Sequence, residues 1–215
     1  FAGYIFSGYT KLAKSLLILS AGFLITVCLN EIFPEVYKSS VNNIGVWVIG
    51  GVLLQLVLEN LTKGFEHGHF HHHTSDSVLP AALMVGMFIH AFIEGIPLAF
   101  ETDVDSPYLL GIAFHNLPIS FVLGAFLTQN RKFSSTSLII ISIFALASPL
   151  GMWLGRFLND SWQPYFLALV GGIFLHISSV IIFESNKKHN IDWQKIILVI
   201  AGVGLALVGH LFHHH

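Results

Sequence analysis

Charge is what this sequence lacks. Only 10% of its 215 residues are Asp, Glu, Lys or Arg, against roughly 25% in an ordinary globular domain. So few polar side chains cannot cover a water-soluble surface. Cysteine is nearly absent too: Cys28 stands alone, so no internal disulfide can form and cysteine says little about compartment. No basic stripe runs along the chain and the formal net charge is −2, which leaves nucleic-acid binding without support. The zinc-hydrolase patterns His-Glu-x-x-His and His-x-x-Glu-His are missing as well.

Apolar residues fill the chain instead. They make up 54% of it, and mean hydropathy is +0.73. A spanning helix needs roughly 20 mostly apolar residues. Runs at Ser15–Phe33, Val41–Leu58, Val78–Phe100, Tyr108–Leu127, Ser137–Leu154, Tyr165–Phe183 and Ile196–Phe212 predict seven such spans. They are long and lack barrel-type alternation, so helices follow rather than strands. The fold class is an all-α polytopic membrane protein, a single transmembrane domain over residues 1–215, with the lipid bilayer as its surroundings. The sequence opens at Phe1 without an initiator Met, and "FAGYIFSGYTK" is expected to be the end of a truncated first helix, making eight in the full protein. The terminal His213–His215 resembles the start of a purification tag and carries no weight as a ligand.

Basic residues are unevenly shared between the two sides. Lys11, Lys14, Lys63, Arg131, Lys132, Lys187, Lys188 and Lys195 fall on one side, and Lys38 and Arg156 on the other. The crowded side is expected to be cytoplasmic, which places the loop Glu59–Ser77 inside the cell and the C-terminus outside. That loop holds His67, His69, His71, His72 and His73 beside Glu66. Such a cluster can bind Zn²⁺ or a similar cation, or serve as a plain polar connector. Repeated imidazoles let an ion hop among ligand sets, so a stoichiometric site is not expected there.

The stretch "MFIHAFIEGIPLAF", Met87 to Phe100, is different, because it puts a histidine and a glutamate in the middle of a span. His90 and Glu94 are four residues apart and leave the same helix face one turn from each other. An ionised carboxylate facing lipid costs several kcal/mol, roughly 3 on insertion scales. Glu94 must therefore face protein, water or a cation. The next span repeats the feature in "GIAFHNLPISF" with His115 and Asn116, and Pro97 and Pro118 follow closely, each removing a backbone donor near the polar residues. Two imidazoles, a carboxylate and an amide oxygen suit Zn²⁺, Fe²⁺, Mn²⁺ or Co²⁺. The plainer account is a neutralised His90–Glu94 pair that ties helices together.

These residues carry a resemblance to the ZIP (Zrt/Irt-like) divalent-metal transporters. "HAFIEG" is similar to that family's fourth-helix motif His-Asn-x-x-Asp/Glu-Gly, with Ala91 in place of the usual Asn. "HNLPIS" is similar to the fifth-helix motif, a polar pair before x-Pro and an acidic or His residue. "LLILSAGFLITVCLNEIFPE" resembles the second helix and "LALVGGIFLHISSVIIFES" the seventh, and a His-rich loop between helices three and four is a family habit. The resemblance implies a two-metal site in many members, yet Ile119 stands where the fifth helix usually has its last ligand and Ser148 where the sixth often has Glu. Carried over position by position, His90, Glu94, His115 and Asn116 remain, which implies one metal site. It also implies a bundle holding helices four and five that slides against a scaffold.

The expected function is transport of a divalent metal ion, Zn²⁺ first, towards the cytoplasm through a single His/Glu site. The ion is substrate; no organic cofactor and no enzyme activity are expected, and a homodimer is among the open oligomeric states. Alternatives from other classes are a seven-helix intramembrane metal-dependent hydrolase and a metal sensor without transport. Glu31, Glu35 and Glu184 end their spans, where carboxylates usually just face water but can line a cation path. His176 lies inside a span and reads first as a hydrogen-bonded core histidine. Asp103 and Asp105 read as a solvated acidic loop.

Overall fold

The computed structural model describes residues 10–62, 81–101, 106–128, 135–183 and 192–213, and among these every regular element is helical. In chain order they are α1 (Thr10–Val27), α2 (Phe33–Lys38), α3 (Gly45–Thr62), α4 (Ala81–Gly95), α5 (Pro107–Thr128), α6 (Ser135–Gly155), α7 (Gln163–Phe183) and α8 (Trp193–His213). Six stretches are long and apolar enough to cross a membrane, and Trp193–Gly209 in α8 is a shorter apolar helix. The chain is thus an all-α polytopic membrane protein. Without water to satisfy it, each backbone segment closes its hydrogen bonds on itself.

Some boundaries differ from the sequence reading, each for a local reason. The first span runs past Phe33 to Lys38, because a π-helical turn, Cys28–Ile32, joins α1 to α2. Pro34 falls at the start of α2, where a missing backbone donor does little harm. Residues 42–44 form a turn before α3, with Asn43 in the left-handed region at φ 57°, a conformation that Asn tolerates. Glu59 opens no loop: α3 continues through Thr62. Near Pro97, α4 tightens into a 3-10 turn, Ile96–Ala99.

Glycines set which helices touch. A methyl on Gly51 of α3 would overlap the Leu169 carbonyl, and one on Gly172 of α7 would overlap the Val48 carbonyl. The same reciprocal arrangement seals α4 to α6 (Gly95 on Ser148, Gly151 on Phe92) and α1 to α8 (Gly22 on Val199, Gly202 on Leu19). Small residues let backbones approach this closely, which is how helices gain dispersion energy where lipid removes the hydrophobic drive. The outer faces of α3 and α6 expose Ile49, Leu53, Val57, Ile139, Leu146 and Trp153, as lipid contact allows.

Candidate metal site

Three polar side chains lie where the helix pairs meet, and none is open to the surface: His90 is 1% exposed, Glu94 and His115 0%. The first two sit on α4 at i and i+4; the third comes from α5. One ligand atom from each lies within 4.8 Å of the others. Nε2 of His90 is 2.7 Å from Oε1 of Glu94, yet the approach lacks hydrogen-bond alignment, and neither carboxylate oxygen has an aligned donor. The rings of His90 and His115 stand edge to face, centroids 5.8 Å apart. Tetrahedral Zn²⁺, with bonds of about 2.0–2.1 Å, sets its ligand atoms about 3.3–3.4 Å apart. The 2.7 Å approach and the 4.8 Å limit lie on either side of that value, so side-chain adjustments of roughly 1–1.5 Å would bring the three onto one ion.

Neighbouring helices hold this arrangement by hydrogen bonds. Gln55 of α3, 0% exposed, offers Oε1 to Nδ1 of His90 at 3.0 Å. Tyr108 of α5 donates its hydroxyl to the Glu94 carbonyl at 2.7 Å, just where α4 gives way to the 3-10 turn. Ser148 of α6 donates to the Ala91 carbonyl at 2.9 Å. Ala91 and Ile119 are each 1% exposed, so both positions that the resemblance associates with further ligands are packed as apolar core. Ser148, at a third such position, is engaged with backbone.

Gln55 and Tyr108 were not singled out from sequence. Gln55 had a readable signal: it is the one polar side chain between Val46 and Leu58, on the buried face with Val48, Gly51, Leu58 and Thr62. Asn116 follows His115 on α5, and its Oδ1 is buried without a hydrogen bond. Glu31 lies in the π turn. Glu35 is exposed and lines a cavity of about 800 Å³ with Lys38, Trp47, Trp162 and Tyr165, at the ends of the spans rather than beside His90. His176 of α7 pairs with Glu59 of α3, Nε2 to Oε2 2.8 Å. His67, His69, His71, His72, His73 and Glu184 lie outside the described residues, as do Asp103 and Asp105.

A family profile described as ZIP Zinc transporter matches residues 76–209, more than half of the chain. The chain belongs to the ZIP zinc transporter family. Two curated relatives are similar over part of their length. Zinc transporter 9 of Arabidopsis thaliana is 27% identical over 132 residues, 54% of this chain and 38% of the relative. Protein zntC of Dictyostelium discoideum is 26% identical over 140 residues, 60% of this chain and 34% of the relative. The chain thus covers between a third and two fifths of these relatives' lengths. No solved structure matches it. The stretch matched by the ZIP profile contains α4 and α5, and with them His90, Glu94 and His115.

Proposed function

We propose that this ZIP family member carries a divalent metal ion, Zn²⁺ first, across the bilayer towards the cytoplasm by way of one site formed by His90, Glu94 and His115, with Asn116 as an auxiliary oxygen ligand. The observation that carries this reading is the buried trio with its ligand atoms within 4.8 Å of one another. Two neutral imidazoles and one carboxylate match the borderline-soft ions. Glu94 is the only charged residue of its span, Ala82–Ala99, and a cation there supplies the counter-charge that a carboxylate in the membrane needs. One carboxylate offsets only half the charge of a divalent ion. Three firm ligands, with the amide oxygen of Asn116 as an exchangeable fourth, hold the ion less completely than the closed four-ligand shell of structural zinc, which suits an ion that must leave again.

The basic residues, eight on the side of the His-rich loop and two on the other, support an orientation with that loop inside the cell. A single cysteine introduced at Ser75 and another at the C-terminus should react oppositely with an impermeant label in intact cells; Cys28 is free and buried, so the background is silent. Equal reactivity sinks the orientation. The His-rich loop lies outside the spans, and replacing His67, His69 and His71–His73 with Ser should alter the rate of uptake without abolishing it.

The deciding experiment is metal uptake into proteoliposomes with competing ions, on the wild type and Glu94→Gln. Uptake that fails only in the variant supports the reading. Equal uptake per folded molecule in both would reduce the trio to a structural tie. Metal-stimulated hydrolysis of amides or esters without uptake would point to the hydrolase instead, and binding without uptake to a sensor.

A further inference from the structure

Gln55 reaches the candidate site from outside α4 and α5 with a side-chain hydrogen bond, and its chemistry at His90 is specific. A neutral imidazole carries one proton and one lone pair, on different nitrogens, and a hydrogen bond at one nitrogen decides what the other presents. Oε1 of Gln55 is an acceptor, 3.0 Å from Nδ1 of His90. With Oε1 in that place, a proton on Nδ1 satisfies the contact, whereas a lone pair there would face another lone pair. Nε2 then presents its lone pair towards the space shared with Glu94 Oε1, 2.7 Å away, and with His115. Free histidine side chains in water favour the opposite tautomer, so this assignment needs an enforcing partner.

We propose that Gln55 is a positioning residue that fixes His90 as the Nδ1–H tautomer and thereby presents Nε2 to a divalent cation. The inference rests on the metal-binding reading above and adds to it a residue on a third helix. Metal-ligating histidines generally donate their other N–H to an oxygen, and losing that partner costs about 10–100-fold in affinity. Two features make Gln55 suited to this. It is fully buried on the α3 face that carries Gly51, where the backbone of α7 locks the helix in place. It is also an uncharged acceptor, so it orients the ring without adding a second carboxylate beside Glu94. The bond crosses from the α3–α7 pair to the α4–α6 pair, and the tautomer is therefore held only while the two pairs keep this register.

The test uses the full chain in detergent with ¹⁵N-labelled histidine and two probes, Zn²⁺ by calorimetry and ¹¹³Cd²⁺ by NMR. Wild type should show the cadmium–nitrogen coupling of His90, identified by its loss in His90→Ala, at Nε2. Gln55→Leu should fold with a similar melting temperature, bind Zn²⁺ about 10–100-fold more weakly, and lose the single Nε2 coupling. Gln55→Glu, which keeps an acceptor at the same reach, should restore the Nε2 coupling and most of the affinity. Full affinity with unchanged Nε2 coupling in Gln55→Leu would overturn the proposal, as would wild-type coupling at Nδ1. A wild type that binds neither ion would end the metal reading, while the metal-free ¹⁵N spectrum at mildly alkaline pH would still report on Gln55. If the His90 signal then shows a proton on Nδ1 that Gln55→Leu removes, the orienting role stands alone; a proton on Nε2 refutes it. Should Gln55→Leu fail to fold, Gln55→Met, closer in shape, takes its place with the same expectations.

Discussion

Two histidine–carboxylate pairs lie among the described residues at nearly the same separation, 2.7 Å for His90–Glu94 and 2.8 Å for His176–Glu59, and their surroundings set them apart. His176–Glu59 joins two helices, α7 and α3, with a well-aligned hydrogen bond, and its side chains are 13% and 26% exposed. That pair is thus partly open to its surroundings. His90–Glu94 lies within one helix, is closed off from the surface and meets without hydrogen-bond alignment. A third titratable side chain, His115, closes on it from α5. Distance alone would class the two together. Alignment, burial and the third group separate a tie from a candidate ligand set, and the difference can be tested by breaking each pair in turn.

The largest effect is expected at Glu94. Glu94→Gln keeps the shape of the side chain and removes its charge, and it takes away the only anionic ligand of the trio. Zn²⁺ affinity measured by calorimetry should fall by roughly 100-fold or more, beyond the range of losing an outer partner. The fold should survive, since a buried carboxylate without an aligned donor is costly to keep. A variant that melts early but binds Zn²⁺ normally would move His90–Glu94 into the same class as His176–Glu59.

Next come His90→Ala and His115→Ala. Each removes one imidazole and should weaken binding by roughly 10–100-fold, but their joint effect should depart from the sum if both hold the same ion, because residues in one network are coupled. Strict additivity in the double-mutant cycle would mean that the two rings act independently, despite centroids 5.8 Å apart.

A smaller effect, read first in stability, is expected at the glycine seal beneath His176–Glu59. Gly172→Leu would drive a side chain into the α3 backbone at Val48, and overpacking of this kind costs roughly 1–3 kcal/mol or more. Thermal melting in detergent should register it, together with loss of the α3–α7 register. Gly204, with nothing near its added methyl, is the control: Gly204→Ala should leave melting unchanged. Equal melting of the Gly172 and Gly204 variants would show that the α3–α7 crossing is looser than its geometry implies.

Much of this architecture could be read from sequence because the membrane simplifies the rules. Long apolar runs must be helices when no water can satisfy the backbone, so a helix stands near each of the seven predicted spans, six of them long and apolar enough to cross a membrane. Single ionisable residues inside them stood out at once, and that exposed His90, Glu94 and His115. Boundaries were less legible. Pro34 looks like a terminator, yet it falls at the first turn of α2, where its missing donor is harmless, and the π turn carries the helix across. Partners on other helices were the least legible of all. Glu59 read as the start of a loop, although it stands opposite His176 across a crossing made by Gly51 and Gly172. Gln55 was visible as a lone amide, but pairing it with His90 requires the contact between α3 and α4, which periodicity within either helix cannot supply.

The smallest effect is expected at the second pair itself. Glu59→Gln retains an oxygen that can accept from His176 and loses the charge; His176→Gln retains a donor. Partly exposed ion pairs contribute about 0–1 kcal/mol, because water competes for both partners, and at 26% exposure Glu59 is well placed for that competition. Melting should therefore shift by a degree or two at most, and Zn²⁺ affinity should stay within about threefold of wild type, since neither residue belongs to the buried trio. Glu59 does sit one helical turn beyond Gln55 on α3, towards the His-rich loop. The informative measurement is therefore uptake rate beside equilibrium affinity. Unchanged affinity with unchanged rate leaves His176–Glu59 as a helix tie. Unchanged affinity with a severalfold slower rate would place this pair on the ion's way out and erase the contrast between the two pairs.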